Sequence, residues 1–85
     1  MPTISMFYGI LIRMYYDDHN PPHIHAIYGD DTACFDFDGE LIEGNIPKKQ
    51  RKLVEAWIAI HHEELAANWK LAKSGEQIFK IEPLK

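Results

Sequence analysis

The sequence predicts an α+β domain, an antiparallel β-meander of three to four strands packed against one or two C-terminal helices, and three observations predict it. Apolar residues alternate one by one through the first half of the chain. In the second half they recur with a helical period. Gly, Pro, Asn and Asp punctuate the first half at short intervals, whereas neither Pro nor Gly occurs between Lys48 and Lys73.

From Thr3 to Tyr16, Ile4, Met6, Tyr8, Ile10, Ile12, Met14 and Tyr16 fall on one side of an extended chain, which reads as a long strand with one apolar face. Gly9 inside it marks a bulge or bend that would divide the run into two arms. Asp17 to Pro22 is turn chemistry, because Asn and Asp bond their own backbone and two successive prolines donate nothing to a ladder. His23 to Tyr28 is a second strand, Gly29-Asp30-Asp31 a turn, and Thr32 to Phe37 a third strand with Ala33, Phe35 and Phe37 on one face. Asp38-Gly39 is a hairpin dipeptide, and Leu41, Ile42 and Ile46 indicate a short fourth strand.

Pro47 suits the first position of a helix, where its missing N–H would be unpaired in any case. Val54, Trp57, Ile58, His61, Leu65, Trp69 and Ala72 then follow the 3.6-residue period. One long helix and two shorter ones joined at the polar His61-His62-Glu63-Glu64 both fit, with the break favoured. Ser74-Gly75 ends the helical half, and Ile78 to Ile81, before Pro83, is read as an edge strand.

The 85 residues, 46% of them hydrophobic, make a single domain with a packed core rather than a disordered tail. Cys34 is the only cysteine, so nothing calls for an oxidising compartment. The N-terminus has no basic start followed by an apolar run, and no apolar stretch approaches the ~18 residues of a membrane span, so the expected location is cytoplasmic. Nine Lys and Arg against thirteen Asp and Glu give a formal charge of −4, which opposes general attraction to nucleic-acid phosphate.

Chemistry concentrates in Asp17-Asp18-His19-Asn20-Pro21-Pro22-His23-Ile24-His25. A separation of two on a strand points His23 and His25 to one face. With His19 and the acids Asp17 and Asp18 they form a set suited to a divalent transition metal, the one cofactor the sequence brings into view. A second reading needs no metal: one imidazole takes a proton while another gives one, as in transfer at a phosphodiester, and Arg13 steadies negative charge. The third is structural, with Asn-Pro-Pro making the turn and the histidines hydrogen-bonded strand residues. All three readings stand at this point.

Other candidates are weaker. His61 lies within the apolar stripe, as a core histidine or as an extra partner for the strand histidines, and His62 lies off it. Lys48, Lys49, Arg51 and Lys52 crowd the helix start, where positive charge opposes the dipole, and either a phosphate or acidic partner, or Glu40 and Glu43 nearby, would offset them. Trp57 and Trp69 keep helical spacing and read as core anchors. Cys34 reads as a small buried hydrophobe, on the strand face opposite Phe35.

Met1-Pro2-Thr3-Ile4-Ser5, Phe7-Tyr8-Gly9-Ile10, Ile12-Arg13-Met14-Tyr15, the Asp17 to His25 string, Tyr28-Gly29, Glu63-Glu64-Leu65, Asn68-Trp69 and the closing Lys80-Ile81-Glu82-Pro83-Leu84 together resemble the bacterial domain of unknown function 4160. Met6 departs from the pattern, where an arginine is expected. The resemblance implies a compact protein often encoded beside a small protein of domain of unknown function 2442, in what look like toxin–antitoxin pairs with this chain as the toxin-like member. Arg13, His19, His23 and His25 are then the candidate active surface, and the family pattern assigns them no reaction. Two alternatives come from other classes: a non-catalytic metal- or ligand-binding regulatory module, and a nucleic-acid-associated regulator using Lys48, Lys49, Arg51 and Lys52.

Overall fold

The computed structural model describes residues 3–16 and 18–85, so Asp17 and the first two residues of the family pattern lie outside the described residues. Five strands, β1 (Thr3–Phe7), β2 (Ile10–Arg13), β3 (His23–Tyr28), β4 (Asp31–Asp36) and β5 (Leu41–Gly44), are followed by α1 (Lys48–Ile60) and α2 (His62–Lys73). The strands lie side by side in sequence order, every neighbouring pair antiparallel. The expected meander and α+β class are present, with five strands where three to four were expected.

The extra strand comes from Tyr8-Gly9. Both residues take positive φ, 49° and 79°, the conformation of a two-residue hairpin turn whose twist matches that of the flanking strands. The Thr3 to Tyr16 run is therefore a hairpin and not one long strand. The turn sets Phe7 opposite Ile10, and paired residues share a face, so Phe7 is buried while Met6 and Tyr8 are exposed. The single apolar face expected for this run holds at Ile4, Ile10, Ile12 and Met14 and fails at Met6, Tyr8 and Tyr16. A register shift between Thr3 and Ser5 lets Ile4 and Ser5 both turn inward.

Gly39, at φ 85°, makes the expected Asp38-Gly39 turn, which the Asp36 carboxylate closes by accepting from the backbone N–H groups of Asp38 and Glu40, 2.9 Å each. At Gly44 the chain passes so close to Thr32 that a Cβ would overlap its carbonyl oxygen, and φ is 73°. Only glycine fits there.

Pro47 stands one residue before α1, at the cap rather than inside, and its carbonyl accepts from the Arg51 N–H at 2.9 Å. The helical half breaks at His61 (φ −109°, ψ 25°), although His61 N–H still donates to Trp57 O and Leu65 N–H to His61 O. α2 carries Glu63 and Glu64 in its first turn and Lys70 and Lys73 in its last, which complements the helix dipole. Beyond Gly75 the chain forms no strand: Ile78 to Ile81 shares a single backbone hydrogen bond with β1, Ile81 N–H to Ile4 O at 2.7 Å. Side chains hold this segment instead. Asn68, fully buried, exchanges two hydrogen bonds with the Phe79 backbone, and the Trp57 indole N–H donates to Glu82 O.

The two helices cover one face of the sheet. Ile12, Ile24, Ala26, Ala33 and Phe35 form one cluster with Val54, Trp57, Ile58, Leu65, Trp69 and Ala72, and Phe7 packs on Trp57 at 5.5 Å between ring centroids. The intervening residues Arg13, His25 and Cys34 turn to the other face and stay partly open to solvent. Among the described residues no helix is long and apolar enough to cross a membrane.

Candidate functional site

Strand register assembles the open face. Arg13 pairs with His25, His25 with Cys34, and Cys34 with Glu43, so four side chains from four adjacent strands form one row across the sheet. His23, two residues before His25, projects to the same side opposite Asp36. The edge of the Tyr15 ring meets His25 at 4.5 Å, and Trp69 from α2 closes over His23 at 5.5 Å.

The loop before β3 brings in the acid. Asp18 Oδ2 lies 3.0 Å from His23 Nε2 and 3.1 Å from His25 Nε2, while its Oδ1 takes the His19 backbone N–H at 2.9 Å and faces His19 Nδ1 at 3.0 Å. One carboxylate thus joins three imidazoles. Lys73, at the end of α2, donates to the Asp18 carbonyl at 2.7 Å and ties this loop to the helical layer. The Asn20–Pro21 peptide is cis, and the Pro21 carbonyl accepts from His23 Nδ1 at 2.7 Å. His25 Nδ1 lies 3.2 Å from Cys34 Sγ.

Burial by itself would raise the Asp18 carboxyl pKa, but the His25 hydrogen bond, the His19 N–H and the His23 and His25 imidazoles outweigh it, and the group is held below the ordinary carboxylate range. Cys34 moves the other way: burial first, then the Glu43 and Asp18 carboxylates, push its thiol up. A neutral S–H beside His25 is the consequence, and the thiol is a hydrogen-bond partner rather than an inert filler.

Asp18, His23 and His25 each offer a ligand atom, and these atoms lie within 4.8 Å of one another. His19 meets the other Asp18 oxygen and lies against the His23 ring at 5.2 Å between centroids, and its side chain is 82% exposed. Arg13 shares the face, with its Nε buried and without an acceptor among the described residues. His61 stays apart. It packs on Trp57 and faces Glu64 Oε1 at 2.6 Å, so its reading as a hydrogen-bonded helix residue holds and it does not join the strand histidines. His62 is exposed. Lys48, Arg51 and Lys52 line a separate groove of about 370 Å³ with Asn45 and Glu55, and Lys49 is exposed nearby in sequence. Arg51 pairs with Glu55 at 3.3 Å, and neither Glu40 nor Glu43 pairs with this group among the described residues.

Two features escape sequence reasoning: Asp18 as the hub, and Cys34 as the partner of His25. Alternation already puts Cys34 on the face away from Phe35, but its meeting with His25 depends on the β3–β4 register.

Fold and site define a small α+β domain whose open sheet face carries an imidazole–carboxylate cluster. The family model described as a domain of unknown function, DUF4160, matches residues 9–70, and the chain belongs to that family. The matched span runs from the β1–β2 turn into α2 and contains the whole cluster. No curated protein and no solved structure matches the chain.

Proposed function

We propose that the chain is the toxin-like member of a bacterial type II toxin–antitoxin pair, acting through the open face built on Arg13, Asp18, His19, His23 and His25. The observation that supports this reading is the convergence of His23 and His25 on one Asp18 oxygen, with Arg13 beside His25 on the face the helices leave uncovered. A structural role alone does not require three imidazoles on one carboxylate, one of them, His19, open to solvent. Chemically, the carboxylate orients the rings, an imidazole moves a proton, and the Arg13 guanidinium balances negative charge that develops on a target. The acidic chain, at −4, makes the contact a local one rather than general adhesion to nucleic acid. A small protein of the domain of unknown function 2442 type is the proposed antitoxin, and by covering this face it would silence the chain.

Induced expression in a bacterial host tests the reading. Growth should stop, His23→Ala or His25→Ala should restore it, and co-expression of the small protein encoded next door should relieve it. Normal growth at high levels of the folded protein would overturn the proposal.

A further inference from the structure

The His23 ring poses a problem of hydrogen-bond chemistry. Its Nδ1 faces the Pro21 carbonyl at 2.7 Å, and a carbonyl only accepts, so that nitrogen carries a proton. Its Nε2 faces the Asp18 carboxylate at 3.0 Å, and a carboxylate also only accepts. A neutral imidazole would then aim a lone pair at an anionic oxygen, inside a site where the His23 side chain is 4% exposed. Either a second proton or a cation has to lie between them.

Three further features favour the cation. His25 has a similar placement, with Nδ1 beside Cys34 Sγ, a group able to accept as well as donate, and Nε2 turned to the same Asp18 oxygen, so both rings have their outer nitrogen engaged and their inner nitrogen convergent. Outer hydrogen bonds of this kind orient metal-binding imidazoles. Two of the three spacings fit directly: ligands at about 2.0–2.1 Å from a tetrahedral ion stand roughly 3.3–3.4 Å apart, so the 3.0 and 3.1 Å contacts need to open by only a few tenths of an ångström, and the two Nε2 atoms lie within 4.8 Å of each other. Beside the cluster lies a cavity of about 40 Å³, lined in part by His23, His25 and Glu43, which suits a bound water or a single ligand oxygen.

We propose that Asp18, His23 and His25 form a binding site for one divalent first-row transition ion, with Zn²⁺ as its representative, held by Asp18 Oδ2 and the two Nε2 atoms. Two imidazoles and one carboxylate make a borderline ligand set with coordination positions left over. The ion and its ligands carry a net charge of +1, and the open positions take water or an anionic oxygen. Cys34 acts outside the ligand set, positioning His25. The site goes beyond the toxin reading and does not depend on growth arrest.

The test uses the full chain, purified without an affinity tag, stripped with chelator and titrated with Zn²⁺ against a chromophoric competitor. One ion should bind per chain. Asp18→Asn and His25→Ala should each weaken binding at least tenfold, while His61→Ala and His62→Ala should bind as the unaltered protein does. Because the site variants risk misfolding, circular dichroism accompanies each, and Co²⁺ bound to the unaltered protein gives an independent readout. Its near-ultraviolet spectrum should lack the sulfur-to-metal charge-transfer absorption that a coordinated thiolate produces. Absence of stoichiometric Zn²⁺ binding, undiminished binding in folded Asp18→Asn and His25→Ala, or a thiolate band would each overturn the proposed ligand set.

Discussion

The molecule contains two imidazole–carboxylate meetings, and they differ in what stands behind each ring. At the helix joint, His61 faces Glu64 three residues on in the same helical half, and the Glu64 side chain is 45% exposed. In the sheet, His23 faces an acid from the preceding loop, and its other nitrogen is tied to a carbonyl. The His61 contact is the shorter, 2.6 Å against 3.0 Å, yet it is local and its acid is open to water, whereas His23 is part of a connected network beneath Trp69. A short imidazole–carboxylate distance therefore says little about function. The partner of the second nitrogen, and the burial of both groups, carry the difference.

The largest effect should come from His23→Ala. It leaves the Asp18 carboxylate short of a partner and opens a void against Trp69, so a loss of about 3 kcal/mol is expected in urea denaturation. His61→Ala should cost no more than about 1 kcal/mol, and equal losses in the two variants would erase the contrast.

Asp18→Asn sharpens the comparison through pH. The folded-state pKa of Asp18 lies below its unfolded value of about 3.9, so its contribution is fully present above that value and is lost as pH falls through the folded one. Measured in chelator, the stability gap between the unaltered protein and Asp18→Asn should persist down to about pH 4 and close below it. A gap already closed near neutral pH would mean that Asp18 is not held as an anion by its neighbours.

The smallest change belongs to Glu64→Gln, within about 0.5 kcal/mol of the unaltered protein because the pair is short-range and the Glu64 side chain is half-open to solvent. Zn²⁺ affinity should stay as it was. A marked loss of either would move His61 and Glu64 from local contact to functional group.

Much of this was legible in the residues. His23 and His25 share a face because side chains alternate along a strand, Asp38-Gly39 turns because glycine takes positive φ, and the helical half breaks at His61 within the expected polar joint. The Ile78 to Ile81 strand failed because its anchors are the Asn68 and Trp57 side chains, whose reach local pattern does not reveal. The Thr3 to Tyr16 run failed for a different reason. A tyrosine rarely takes the left-handed conformation, so Tyr8-Gly9 does not read as a hairpin turn although Gly9 marks a bend.

Sequence by itself determined the α+β class, the strand and helix periods, and the shared direction of His23 and His25, since these follow from backbone geometry over a few residues. Tertiary structure alone decided that Arg13 lies beside His25, that Cys34 holds its Nδ1, that Asp18 Oδ2 meets both rings, and that Trp69 closes over His23. Those meetings depend on strand register and loop path. They are selected by which apolar faces must be buried together across the whole chain, and no window of neighbouring residues contains that information.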